Sequence, residues 1–396
     1  MDYSDGGQVP LPHIQGPQKS SARSTTLSLI IGTGGIMVTG IQPLLLGSLH
    51  SQGILTPNQL GLAGAVEIFS LAAGIVLGSR LLSDSASRWY VVLAGIVMAL
   101  ANVGTANAGI DWQVITLRSI AGIAEGVLIA VVMLAISYSP RPERLGGLFL
   151  SVSGPPSLIL AYALPGVLNP AMGWNAGFTI MAGIGILCAI AGAAHNSEFA
   201  PNRPTDLNKI IWNRPIILAL AATLLANAAF GACWTYVEPL AVLRGISPVT
   251  IGQIVMLAIA CQISGSLAVA LSGRHFRALP FLKCAAVFQL GAILFLLMAR
   301  TDIEFAIALG ALSFCWQASA PCAIALITAL DETRATAPLT FPLQLVGLSI
   351  GPLAAATGAS SSLAYPYILG LFMLALAGIF LVMVGRARGV VPDVRA

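Results

Sequence analysis

Charge is what this sequence has least of. Its 396 residues include 19 Lys and Arg and 15 Asp and Glu, 9% charged in all, against about 25% in a soluble domain. Hydrophobic residues make up 57%. A chain of this length cannot clothe itself for water with so few charges, which leaves a polytopic membrane protein. The six cysteines all fall in apolar runs and no CxxC occurs, which argues against a disulfide or zinc framework. HExxH and Walker motifs are missing too, so no metal, no cofactor and no ATP-driven step is expected. Gly347-Leu-Ser349-Ile-Gly351 matches GxSxG but lies in the middle of an apolar run. All four histidines sit in loops or tails, so a nucleophile elbow has no base and the chain is not read as an enzyme. Residues 1–24 lack the order of a signal peptide and are taken as a cytoplasmic arm.

What the sequence has instead is apolar runs. Spans of about 20 residues are expected at 25–48, 59–80, 88–107, 112–138, 145–168, 174–194, 215–237, 249–272, 280–299, 303–330, 337–358 and 363–386. The runs are continuous rather than alternating, so they are helices, and the 41 glycines suit close helix packing. The polar stretch 195–214 links a bundle over 25–194 to a second over 215–386, with a tail at 387–396. Of the 19 Lys and Arg, only Arg244 and Arg300 fall on outer segments and Arg118 lies within a span. The rest gather on the other side, placing both termini in the cytoplasm. The positive charge therefore reports topology, not a nucleic-acid partner. A constant offset of 191 residues pairs Thr56-Pro57 with Ser247-Pro248, Leu60-Gly61 with Ile251-Gly252, Gly74 with Gly265 and Asp111 with Asp302. Two parallel six-helix repeats about an axis normal to the membrane are a transporter architecture.

Charges inside spans are costly, about 2.5–3.5 kcal/mol each on the lenient scale, and they single out Glu67, Arg118 and Glu125. Arg118, Gly122 and Glu125 share one face of the fourth span, since seven residues are about two turns. Arg118 lies about 9 Å and Glu67 about 12 Å from the outer end at 1.5 Å per residue, so they can pair if their faces meet. Arg118 is the candidate to bind an anionic substrate. Glu125, about 20 Å down and near the midplane, is the candidate proton carrier, with Glu67 second. Under the repeat Glu125 corresponds to Trp316, followed by Gln317, and these are candidates for an organic ligand. Asn227 in the seventh span and Gln42 in the first join them, as does Tyr236. Trp234 and Tyr236 also suit an interfacial belt, and Glu238 is expected to be solvated at the outer mouth. Gln289 is expected to bond between helices.

Arg118-Ser-Ile-Ala-Gly122, with Gly126 beyond it, resembles the fourth-helix signature of the major facilitator superfamily. Asp84-Ser-Ala-Ser-Arg88 resembles that family's loop between helices two and three, although Arg80 and Ser87 stand where it favours glycine. Gly154-Pro155 and Gly347-Leu-Ser-Ile-Gly351-Pro352 resemble its Gly-Pro elements of helices five and eleven. Arg118, Gly122 and Glu125 together are similar to the fourth helix of the anion/cation symporter branch, which implies proton coupling by Glu125. The first span lacks the charges many of that branch carry. The resemblance implies an all-α fold of twelve transmembrane helices in two pseudo-symmetric bundles, with Asp84, Arg88 and Arg80 as a conformational latch. The expected protein is a monomeric secondary transporter of the cell membrane, driven by protons and moving a small anionic or amphipathic solute. An efflux antiporter of hydrophobic or drug-like compounds, an uncoupled uniporter and a transporter-like sensor are the alternatives.

Overall fold

The computed structural model describes residues 22–82, 87–139, 142–195, 212–272, 277–331 and 336–387. Twelve long helices follow in order: α1 (Ala22–Ser51), α2 (Pro57–Leu81), α3 (Ser87–Ala106), α4 (Asp111–Ser137), α5 (Pro142–Ala163), α6 (Ala176–Ala193), α7 (Arg214–Thr235), α8 (Pro248–Ser272), α9 (Ala278–Met298), α10 (Asp302–Leu330), α11 (Ala337–Ala355) and α12 (Tyr365–Ala387). Eleven are long and apolar enough to cross a membrane, and Leu339–Ala355 is a shorter apolar helix within α11. Among the described residues there is no strand.

Local chemistry sets several of the ends. Thr56 caps α2 through a reciprocal box with Gln59, and Pro57 occupies the first turn. Thr301 and Glu304 form the same box at α10. Asn213 caps α7 by accepting from the Ile216 N–H. Two spans differ from their expected form. The fifth continues past Ala163 through a π-helical turn, Leu164–Leu168, to Asn169–Met172. The seventh stops at Thr235 and resumes as a short helix, Val237–Leu243.

Packing within one half has its mate in the other. Helix α2 lies on α4 as α8 lies on α10, α3 on α6 as α9 on α12, and α1 on α5 as α7 on α11. The halves meet along α2 with α11 and α5 with α8, two contacts that a pseudo-two-fold exchanges. Gly122 and Gly126 let α4 lie directly on the α2 backbone: a Cβ at either would run into the Glu67 or Leu71 carbonyl. Helices α1 and α4 are mostly buried. Helices α3, α9 and α12 turn Leu100, Phe288 and Phe372 outward, each about two-thirds exposed, as lipid-facing helices do.

Candidate functional site

A cavity of about 360 Å³ lies between the two halves. It reaches from Thr39 and Gly40 of α1 and Trp316 of α10, near mid-span, to the end of the bundle where α1 begins. Its walls are Phe149 and Ser153 from the first turns of α5, Ser266 and Val269 from the last turns of α8, Pro321 and Ile324 of α10, and Phe341 of α11. Among the described residues, no Asp, Glu, Lys, Arg or His lines it. Its polar groups are four hydroxyls (Thr39, Ser153, Ser157, Ser266) and three carboxamides (Gln262, Gln317, Gln344).

Trp316 sits where three hollows meet. It lines the central cavity, a blind pocket beyond it bounded by Gln42, Phe230 and Trp234, and a small cavity of about 40 Å³ inside the second half. Its ring stacks on Phe230 at 3.8 Å and 3°, and Phe230 stacks on Trp234 at 5.4 Å. The Trp316 indole N–H donates to Asn227 Oδ1 at 3.0 Å. The Trp234 indole N–H donates across the interface to the Thr39 carbonyl at 3.0 Å. This aromatic ladder ties α10 to α7 and α7 to α1.

The charged residues lie apart from the cavity. Arg118 is fully buried and bonds Glu67 Oε1 at 2.9 Å. It also donates to Asn102 Oδ1 at 3.0 Å and to Thr105 Oγ1, and its guanidinium lies 5.1 Å from the Phe178 ring centre. Glu67 accepts in addition from Gln42 at 3.1 Å, and Thr235 of α7 donates to Gln42 at 3.4 Å. The ion pair thus joins a chain of hydrogen bonds that crosses between the halves. Glu125 is fully buried on α4, and neither carboxylate oxygen has a hydrogen-bond partner. Gly35 of α1 packs so closely on the Glu125 carbonyl that a Cβ would not fit.

The far end of the bundle is closed. The Tyr236 hydroxyl donates to the Pro57 carbonyl at 2.9 Å, and the Ser360 N–H donates to Asn58 Oδ1 at 2.8 Å, both between the halves. Glu238 packs on Gly47 of α1, where a Cβ would strike its carboxylate. Its Oε2 is buried without a partner, and burial pushes the carboxyl, which lies between two spans, up to about 7.

The candidates therefore separate. Trp316 and Gln317 line the cavity. Asn227 lines the small cavity and Gln42 the blind pocket. Neither Arg118 nor Glu125 is among the residues that line the cavity: α2 and α3 supply the partners of the Arg118 guanidinium, and Glu125 is buried on α4. Tyr236 and Trp234 are buried in the seal rather than spread in an interfacial belt. Glu238 is packed where a solvated residue was expected. Gln289 is buried beside the small cavity, not bonded between helices. Asp84 lies outside the described residues. Arg88 stands over the Trp89 ring at 5.1 Å, and Arg80 is exposed. Gln262, Gln344, Asn102 and Thr105 were not singled out in the sequence. Asn102 and Thr105 had a signal: they are polar positions in the third span at the depth of Arg118.

The family model of the Major Facilitator Superfamily matches residues 25–341. A bacterial homolog of the human lysosomal transporter Spinster, in an inward-facing and unoccupied conformation, aligns with a TM-score of 0.71 at 13% identity, covering 93% of this chain and 98% of that one. Its inward-facing and occupied form gives 0.68 at 13%, over 92% and 96%. The xylose transporter XylE from E. coli, partially occluded and inward open, gives 0.70 at 12%, over 94% and 99%. A search of curated proteins finds no match.

Proposed function

This chain belongs to the Major Facilitator Superfamily, and from that premise we propose that it carries an uncharged, largely apolar organic solute, with Glu125 as the proton carrier that drives it. The family and the fold make it a multi-pass membrane protein and a secondary transporter that works by alternating access.

The observation that supports the cargo class is the cavity wall, which among the described residues holds no ionisable side chain. An ion entering it would shed its water with no opposite charge to meet, at a cost of several kcal/mol. Arg118 was the reason to expect an anion, and its guanidinium is engaged by Glu67, Asn102 and Thr105. Of the two expected cargoes, anionic or amphipathic, the amphipathic one remains, and it merges with hydrophobic or drug-like compounds. The neighbour named for xylose handles an uncharged solute too.

Coupling rests on Glu125 because, of the three charge-bearing side chains buried within spans among the described residues, Glu67 and Arg118 hold each other and Glu125 has no partner. A lone carboxylate away from water is costly to charge, so it exchanges a proton only when one side opens. Glu67, held by Arg118 and Gln42, plays the secondary part. The Lys and Arg bias puts the termini, and with them the open end of the cavity, in the cytoplasm. Asp84, Arg88 and Arg80 serve as the latch on that side, and the protein works as a monomer in the cell membrane.

The test is proton flux into proteoliposomes loaded with a pH-sensitive dye, on addition of matched neutral, anionic and cationic solutes. Neutral solutes should move protons through the native protein. Glu125→Gln should abolish that flux and keep solute exchange. Undiminished proton flux in Glu125→Gln removes the coupling, and flux with anions alone removes the cargo class.

A further inference from the structure

The three carboxamides of the central cavity have no work inside the protein. Gln262 on α8, Gln317 on α10 and Gln344 on α11 all line it, and none of their side chains has a hydrogen-bond partner. Gln344 is only 7% exposed, and its Nε2 is buried with no acceptor. A buried amide left unpaired costs about 1–3 kcal/mol, a cost that falls on Gln344; Gln262 and Gln317 are half-buried and turn unpaired amides to the same cavity, and together the three point to a ligand that completes them.

The hydroxyls do not compete for this part. Thr39 donates to the Ile36 carbonyl at 2.8 Å, Ser153 to Leu150 at 3.3 Å, Ser157 to Met37 at 3.5 Å and Ser266 to Ile263 at 3.0 Å. Their protons are directed at backbone, so the free side-chain N–H donors of the cavity are those of the three amides. All three belong to the second half. The first half offers Ile36, Met133, Phe149 and Leu150 together with the hydroxyls of Thr39, Ser153 and Ser157, whose protons are already directed at backbone. The site is therefore two-faced: the free amide groups stand on one side and a mostly apolar surface on the other.

An amide presents a donor and an acceptor side by side. Its best uncharged complement is another group with both, such as a carboxamide, lactam or urea. A carboxylate would accept from the same N–H groups, but it would leave the amide oxygens facing a negative charge and would meet no cation to offset its lost water. We propose that Gln344, Gln317 and Gln262 form the specificity-determining face of the cavity, and that its ligands are neutral molecules with a carboxamide-like group on an apolar body. This rests on the uncharged-cargo reading above and narrows it.

The experiment uses the full chain in detergent and three ligands on one skeleton: 4-pentylbenzamide, 4-pentylbenzoate and pentylbenzene. Binding is read by microscale thermophoresis. The amide should bind at least about tenfold tighter than the other two, the ratio that one net hydrogen bond carries. Gln344→Leu should bring the amide's affinity down to that of pentylbenzene and leave pentylbenzene unchanged. Gln317→Leu, at a position less enclosed than Gln344, should shift the same ratio and keeps the test open if the Gln344 variant does not fold. The proposal is overturned if the benzoate matches the amide, or if both variants keep the amide preference. Such a result with proton flux by neutral solutes intact leaves the transport reading standing. Loss of that flux in the native protein strikes the transport reading itself.

Discussion

Arg118 is held from three sides: by Glu67 of α2, by Asn102 and Thr105 of α3, and by the Phe178 ring of α6. Removing one partner of such a buried pair strands the other charge, at about 3–5 kcal/mol, whereas removing both is much milder. Arg118→Leu should therefore lower the thermal midpoint in detergent sharply, and Arg118→Leu with Glu67→Leu should recover most of the loss. A double variant no more stable than the single one would contradict this pairing. The meeting of these two residues was legible from depth along their spans. Whether the Arg also met a ligand was not, because depth says nothing of what the third helix brings to the same place. Gln262 and Gln344 were illegible for a related reason. An amide in an apolar run gives one signal whether it bonds a neighbouring helix or stands unpaired in a cavity, and only the packing around it decides.

At the scale of elements, the short helix Val237–Leu243 against α1 is a second place where protonation meets geometry. The Glu238 carboxyl rests on Gly47 with no cation within ion-pair distance among the described residues. The titratable groups of α1 are Arg23 and His50, and the His50 ring nitrogen Nδ1 is engaged with the Leu55 carbonyl at 2.8 Å. Of the flanking residues, Tyr236 bonds the Pro57 carbonyl and Arg244 the carbonyls of Leu296 and Leu297. Helix α7 adds Arg214 at its opposite end and Cys233, and α8 adds only Cys261. In this seal burial holds the carboxyl at about 7, and once open to water it returns to about 4.3. The sealed state binds the proton more tightly, so sealing is weakest above pH 7, gains by up to about tenfold per unit as pH falls between those values, and levels off below them. The reactivity of Thr235→Cys, at a buried position three residues from Glu238, toward an impermeant thiol reagent, taken relative to free cysteine at each pH, should fall on acidification from pH 8 to 5. Glu238→Gln should flatten that dependence, and an unchanged slope in the variant would contradict it. The sequence placed Glu238 at the right end of its span but in water, because the break at Tyr236 that folds this helix back onto α1 leaves no compositional trace.

For the whole molecule, the twelve helices, their order and the repeat were legible because lipid demands long apolar runs and the offset of 191 residues kept the halves in phase. The structure adds the pairing of helices across the pseudo-two-fold and the state of the molecule, neither of which a run of apolar residues encodes. One end is open to the central cavity and the other is shut by Tyr236 on Pro57 and Ser360 on Asn58. Alternating access requires that this shut end open once per cycle. Asn58 on α2 and Ser360 just beyond α11 belong to opposite halves, so a link between them should hold it closed. The decisive measurement is solute exchange in proteoliposomes by Asn58→Cys with Ser360→Cys, in a background without the six native cysteines, before and after a short thiol cross-linker with a reducible bond. The account predicts that cross-linking stops exchange, that reduction restores it, and that ligand binding from the open end survives throughout. Exchange that continues at full rate with the link in place would contradict it.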